Sequence, residues 1–405
     1  MDTGEIPGGV VHPHLHAEQA LLGALLVEPD RIEDVRGLLL PEHMYRPAHE
    51  ALYRVLLEHP EHRSHGRRVA TAERVMALVA TASAHAAGLT PVYAHTLMAA
   101  CPHPRNAALY ATMIIEASDH RALARPATRL GQVAAADQER DGLTDTLDHH
   151  RALHAVLDNL AHHWGEPHNT LTPPETRTLP ATPPCRRDLA DEQSLVAALI
   201  VDPAPLAGIQ RWLIAKDFVD PGHAALYRTI GGLVHRGEPV DPLTVLWEAQ
   251  RRGHLADGSL ASELVLKIGG TGVPGSTDYW AGRVLRAALL RTAVTGAHAV
   301  RSHAENPTLA IRSLIAAARH ALAPLDAISN RWHSATGPSV PKTVSGATCG
   351  PGSSTAAAAR SRGPVSSTRY ASTAPAVPHE PELATVDGAT MRRPLSRSPS
   401  HPQRG

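Results

Sequence analysis

Two stretches of this 405-residue sequence imitate a phosphate-binding loop. The run GTGVPGST, Gly270 to Thr277, satisfies a GxxxxG spacing followed by Ser-Thr, but Ser276 stands where the lysine that reaches the β- and γ-phosphates belongs. It also follows the helical pattern SELVLKI, whereas a phosphate loop joins a buried strand to a helix. A turn between helices is therefore expected there. The second imitation, GPSVPKT from Gly337, is one residue short and has Pro341 where a glycine is required. Neither stretch is expected to bind nucleotide.

The 27 histidines raise the question of metal. His150 and His154 lie four residues apart in DHHRALHAVLDNLAHHW, on one face of a helix, the spacing that helical zinc sites use. Such a site needs three or four converging ligands. No carboxylate or cysteine stands out to complete the set, so the pair reads as a solvated polar face. HPHLH at His12 reads as a leader, and His49 and His223, one turn inside Pro-started helices, read as structural. Glu18 and Glu192 are placed in the first turns of their helices, where a carboxylate favours the macrodipole. With no nucleophile, base and orienting group to assemble, the sequence predicts a protein that is not an enzyme, with no cofactor and no metal.

The elements that carry these residues are helical. Hydrophobic residues make up 43% of the chain but aromatics only 3%, with a single Phe, so a core must be built from Leu, Val, Ile and Ala. Lysine plus arginine and aspartate plus glutamate each number 39, and this zero net charge gives the whole molecule no electrostatic footprint for nucleic acid. Cys101, Cys185 and Cys349 are far apart without CxxC spacing, which argues against a disulfide framework and fits a reducing cytoplasm. The N-terminus lacks a basic and an apolar signal region, and no apolar run of about 18 residues occurs, so neither secretion nor membrane spanning is expected.

The chain repeats itself. AEQALLGALLVEP from Ala17 and DEQSLVAALIVDP from Asp191 stay in gap-free register through Arg54 and Arg228, with PAHEALYR against PGHAALYR. Leu195, Ala198 and Leu199, then Leu226, Ile230, Leu233 and Val234, follow the spacing of buried helical faces. Asp220-Pro221, Asp241-Pro242 and Asn306-Pro307 each read as a cap followed by a first-turn proline, and Gly253 and Gly269-Gly270 as stops. The match returns later with Pro104 on Pro274, Tyr110 on Trp280 and Arg121 on Arg291. The fold class expected is all-α: two tandem small helical bundles, each with a long helix or helical hairpin, plus a disordered C-terminal tail. The bounds expected are a leader 1–12, a first domain 13–164, a Pro/Thr-rich linker 165–187, a second domain 188–328 and a Ser/Pro/Ala-rich basic tail 329–405.

The run DEQSLVAALIVDP…DFVDPGHAALYRTIGGLVHRGEPVDPLTVLWEAQRRGHL, Asp191 to Leu255, closely resembles the N-terminal domain of the DnaB-type replicative DNA helicases. The first copy resembles it more weakly, with HPEHRSHGRRVATAERV in place of HRGEPVDPLTV. The resemblance implies a helical domain with a protruding hairpin, which in the helicase forms a collar of paired domains, touches primase and does not hydrolyse ATP. In the family a RecA-like motor follows this domain, whereas here a second copy and the tail follow.

What the resemblance implies for this chain is a non-catalytic interaction protein of DNA replication, pairing with itself, a helicase or a primase. The expected pairing surfaces are exposed apolar stripes on the long helices: Tyr110, Met113 and Ile114 in the first copy, Trp280, Val284 and Ala288 in the second. A large aromatic in an aromatic-poor chain also reads as the plug of its own domain's core. Pro126 is expected to bend the first long helix. Two further readings are a nucleic-acid-associated protein tethered by weak, non-specific DNA contacts of the basic tail, and a helicase subunit whose ATPase is a separate chain.

Overall fold

In a computed structural model of the chain, residues 12–58, 71–166, 185–258, 260–269 and 275–336 are described, and every regular element among them is helical. The first copy contributes α1 (Pro13–Val27), α2 (Ile32–Val35), α3 (Pro47–Glu58), α4 (Thr71–Ser83), α5 (Pro91–Ala99), α6 (Ala107–Arg140) and α7 (Thr144–Trp164). The second contributes α8 (Arg186–Val201), α9 (Leu206–Ile209), α10 (Pro221–Arg236), α11 (Pro242–Arg251), α12 (Ser262–Gly269), α13 (Thr277–Ala304) and α14 (Ile311–Thr336). Each copy is thus five shorter helices followed by a long hairpin. Asp220 and Asp241 cap α10 and α11, their carboxylates accepting the backbone N–H of His223 and of Leu243 and Thr244. Each satisfies donors that the first helical turn leaves orphaned.

Asn306 does not cap a helix. Its side chain accepts from the backbone and hydroxyl of Thr308 within a turn, and α14 begins only at Ile311. The second hairpin also outruns its expected end at 328, because Arg331 is bound to the Asp217 carboxylate and the Trp212 carbonyl, which holds the last turns of α14 against the bundle. The expected tail from residue 337 onward, including GPSVPKT, lies outside the described residues, as do most of GTGVPGST, the leader through residue 11 and the linker from 167 to 184. Ser276, within the described part, is the N-cap of α13, its hydroxyl accepting from the Tyr279 N–H.

The apolar interior divides in two, and not at the repeat boundary. One cluster is built from the first copy's bundle and the start of α6, from Ala17 to Ile115, with Leu21, Leu25, Leu52, Tyr53 and Leu97 fully enclosed. The other joins the whole second copy to the far half of α6 and to α7, through Leu123, Ala127, Leu130, Leu153 and Leu157. The long helix α6 therefore serves both cores: its first turns plug the bundle behind it, and its later turns are buried with the second copy. The handover falls between Ile115 and Leu123, and Pro126 lies just beyond it, with the helix continuing through to Arg140.

Candidate interaction interface

Each bundle is tied together by the same buried polar staple. Glu18 lies beyond the first turn of α1 and is wholly buried; its Oε1 accepts the Tyr45 N–H at 2.5 Å and its Oε2 meets His49 Nδ1 at 2.6 Å. Glu192 does the same with the Val219 N–H at 2.5 Å and His223 Nδ1 at 3.1 Å. The macrodipole reading of these two glutamates is thereby corrected, since neither is a first-turn residue and both carboxylates are spent on tertiary partners. Tyr53 and Tyr227 donate to the carbonyls of Leu39 and Leu213. Burial pushes the Tyr53 hydroxyl up to about 12, since the charged phenolate is disfavoured in the core.

Arg121 on α6 then donates to the His43 carbonyl at 2.7 Å, and Arg291 on α13 to the Asp217 carbonyl at 2.6 Å. Matching residues of the two copies thus make matching contacts, which fixes where each long helix leaves its bundle. In the first copy the staple is longer, because His49 Nε2 meets the Tyr93 hydroxyl at 2.7 Å.

Beyond these anchors α6 and α13 lie against one another in opposite directions. Near one end His120 Nδ1 is 2.8 Å from the Ala304 carbonyl, and its Nε2 is 3.1 Å from that of Leu309. At the other end Asp141 meets Arg283 at 2.9 Å and Arg286 at 2.6 Å. Between them Gly131 packs against Ala297. The hydrogen bond from Arg283 holds the Asp141 carboxyl below the usual aspartate range, whereas burial raises that of Asp191 on the other side of the same guanidinium despite the ion pair. A second seam joins α7 to α14, where Arg319 meets Asp158 and Glu166, and Arg312 donates to the Trp164 carbonyl. The two hairpins together form a four-helix unit.

The apolar positions of this unit follow the repeat. Leu123, Ala127, Leu130 and Ala134 on α6 are buried, and so are Ala293, Ala297, Val300 and Ala304 at the corresponding places on α13. At two of the four places the first hairpin has Leu where the second has Ala or Val, namely Leu123 against Ala293 and Leu130 against Val300 in the repeat register.

The six residues singled out from the sequence fall elsewhere. Tyr110, 8% exposed, and Ile114, 1% exposed, belong to the first bundle's core, so no exposed stripe runs through them. Val284 and Ala288 are buried in the larger cluster, and Trp280 packs half-buried against it. Met113, 44% exposed, lines a cleft of about 360 Å³ whose walls include His120 and Arg121 from the first copy and Ala304 and Leu309 from the second. Aromatic rarity pointed to the heads of the long helices, whereas the contact between copies runs along them, from His120 against Ala304 to Asp141 against Arg283. His150 and His154 are also relocated: Asp326 of α14 supplies the carboxylate that the sequence did not reveal.

Residues 11–116 and 186–281 each match the family described as the DnaB-like helicase N terminal domain. The chain carries two tandem DnaB-like helicase N-terminal domains. Neither matched segment contains a RecA-like ATPase domain or a Walker motif. The chain is 34% identical over 140 residues to the replicative DNA helicase DnaB of Mycobacterium leprae, and 30% identical over 135 residues to that of Geobacillus stearothermophilus. These matches cover 35% and 33% of this chain but only 22% and 29% of the two helicases. A crystal structure of the N-terminal domain of DnaB helicase from Mycobacterium tuberculosis is 29% identical, covering 35% of this chain and 95% of that one, with a TM-score of 0.28. Among the described residues no helix is long and apolar enough to cross a membrane.

Proposed function

We propose that this chain is a non-catalytic interaction protein of DNA replication, in which two helicase-collar domains pair with one another and present themselves as a unit to a replicative helicase or a primase. The observation that carries this reading is the four-helix unit: α6 and α13 bury Leu123, Leu130, Ala297 and Val300 between copies. A domain whose hairpin is used for pairing finds its partner here within the same chain. Covalent linkage replaces a bimolecular encounter by one at an effective concentration of up to about millimolar, so the pair persists at any protein concentration.

Two measurements test the reading. A protease site placed between residues 167 and 184 allows the copies to be separated covalently; they should co-elute after cleavage. Titration of the intact chain with the host's replicative helicase and, separately, its primase should give a complex with one of them. If neither binds at tens of micromolar the partner assignment fails, and if the cleaved halves part spontaneously the pairing fails.

A further inference from the structure

The seam between α7 and α14 gathers three ligand atoms on one point. His150 and His154 project from successive turns of α7, and Asp326 faces them from α14. His150 Nε2 lies 2.8 Å from Asp326 Oδ1, His154 Nε2 lies 2.8 Å from the same oxygen, and the two nitrogens are 3.1 Å apart. Two imidazole nitrogens and a carboxylate oxygen are ligands that zinc takes at about 2.0–2.2 Å, and tetrahedral geometry then sets neighbouring ligands about 3.3 Å apart. The observed triangle is only slightly tighter than that. Opening it needs a small rotation of side chains, since the helices that carry them are already packed. We propose that His150, His154 and Asp326 form a site for a divalent cation of the zinc type, with the fourth position taken by water.

Other features of the cluster favour this over a plain hydrogen-bonded clasp. Both rings turn the same nitrogen, Nε2, toward one carboxylate oxygen, so three ligand atoms converge on a single point. His150 is buried while His154 and Asp326 are partly exposed, which gives the ion a rigid floor and an open entrance. The site takes two ligands from the first copy and one from the second, so an ion would fasten the halves together at the seam opposite α6 and α13. This placement is independent of which replication partner the chain meets.

The test uses the full chain after treatment with a chelator. Titration with Co²⁺ should give the visible absorption of a tetrahedral ion at one equivalent, bleached by Zn²⁺, and Zn²⁺ should raise the melting temperature. Asp326→Asn and His154→Gln, both at partly exposed positions, should each weaken Zn²⁺ binding at least about 10-fold while retaining the helical circular dichroism. His162→Ala, at an exposed histidine of the same helix, should change neither readout. The proposal is overturned if the stoichiometric Co²⁺ spectrum fails to form, or if it survives unchanged in Asp326→Asn or His154→Gln. Loss of the spectrum in His162→Ala would equally overturn it, by showing that the chain's many exposed histidines bind the ion.

Discussion

Gly131 of α6 faces Ala297 of α13 so closely that a β-carbon at 131 would lie 3.4 Å from that of the alanine. That is ordinary van der Waals contact, so the position tolerates one added carbon and little more. Gly131→Ala should stabilise the chain by about 0.5–1 kcal/mol, because alanine loses less backbone freedom in a helix. Gly131→Leu should destabilise it by about 1–3 kcal/mol through overpacking between the copies. Urea unfolding of the two variants checks both signs. Equal effects of alanine and leucine would show that α6 and α13 are not packed here.

The Glu18 carboxylate is shared by the part-buried Tyr45 N–H and the buried His49 ring. Glu18→Ala takes the carboxylate from the buried His49 Nδ1 and from the part-buried Tyr45 N–H, and should cost about 1–3 kcal/mol. Glu192→Ala should cost at least as much, since Glu192 serves the equivalent partners Val219 N–H and His223 in the second copy and accepts from the Asp220 N–H besides. Thermal melts of both variants, compared with Glu28→Ala at the surface, provide the measurement. A loss below about 0.5 kcal/mol at either staple would mean that it is not structural.

Acid should loosen the link between the hairpins at Asp141. The hydrogen bond from Arg283 depresses the folded-state value beneath the ordinary 3.8 of aspartate. A depressed carboxyl contributes its stability above the unfolded value, and that contribution is lost as pH falls through the folded value. The difference in stability between the parent chain and Asp141→Asn should therefore be constant above about pH 5 and shrink toward about pH 3. Chemical denaturation across that range reads it directly, and a difference that grows on acidification would contradict the ion pair.

Ser276 offers a discriminating substitution, because it sits in the phosphate-loop imitation and at the cap of α13 alike. Ser276→Ala should lower stability by about 1 kcal/mol through loss of the cap. Purified protein should show no ATP hydrolysis before or after the change. ATP turnover that disappears with Ser276→Ala would restore the nucleotide reading.

Where the sequence revealed the structure, it did so because the same contact must be made twice. Glu18 with Glu192, His49 with His223, Tyr53 with Tyr227 and Leu39 with Leu213 are identical pairs, and they are the donors and acceptors of the two staples. Periodicity yielded the buried faces of α8 and α10, and the Asp-Pro caps yielded the starts of α10 and α11. What stayed hidden depends on residues far apart in the chain. Gly131 and Ala297 carry no mark of their partnership, and nothing local to His150 and His154 announces an aspartate at 326. Tyr110 took the other course expected of a large aromatic in an aromatic-poor chain, plugging the core of its own domain.

The division of α6 between two interiors has a consequence for how the chain is made. Its opening turns can pack as soon as the first bundle exists, because Tyr110 and Ile114 belong to that cluster. Its later turns, with Leu123 and Leu130, complete their burial only with residues from the second copy, such as Val300 and Leu322. Synthesis runs from the N-terminus, so this leucine face is finished and waiting before its cover has left the ribosome. Such long-range closure is slow compared with local helix formation, and an uncovered apolar surface invites association with other nascent chains. Tandem connection shortens the wait but cannot remove it, and the interval is when this protein is most exposed to misassembly with its own copies.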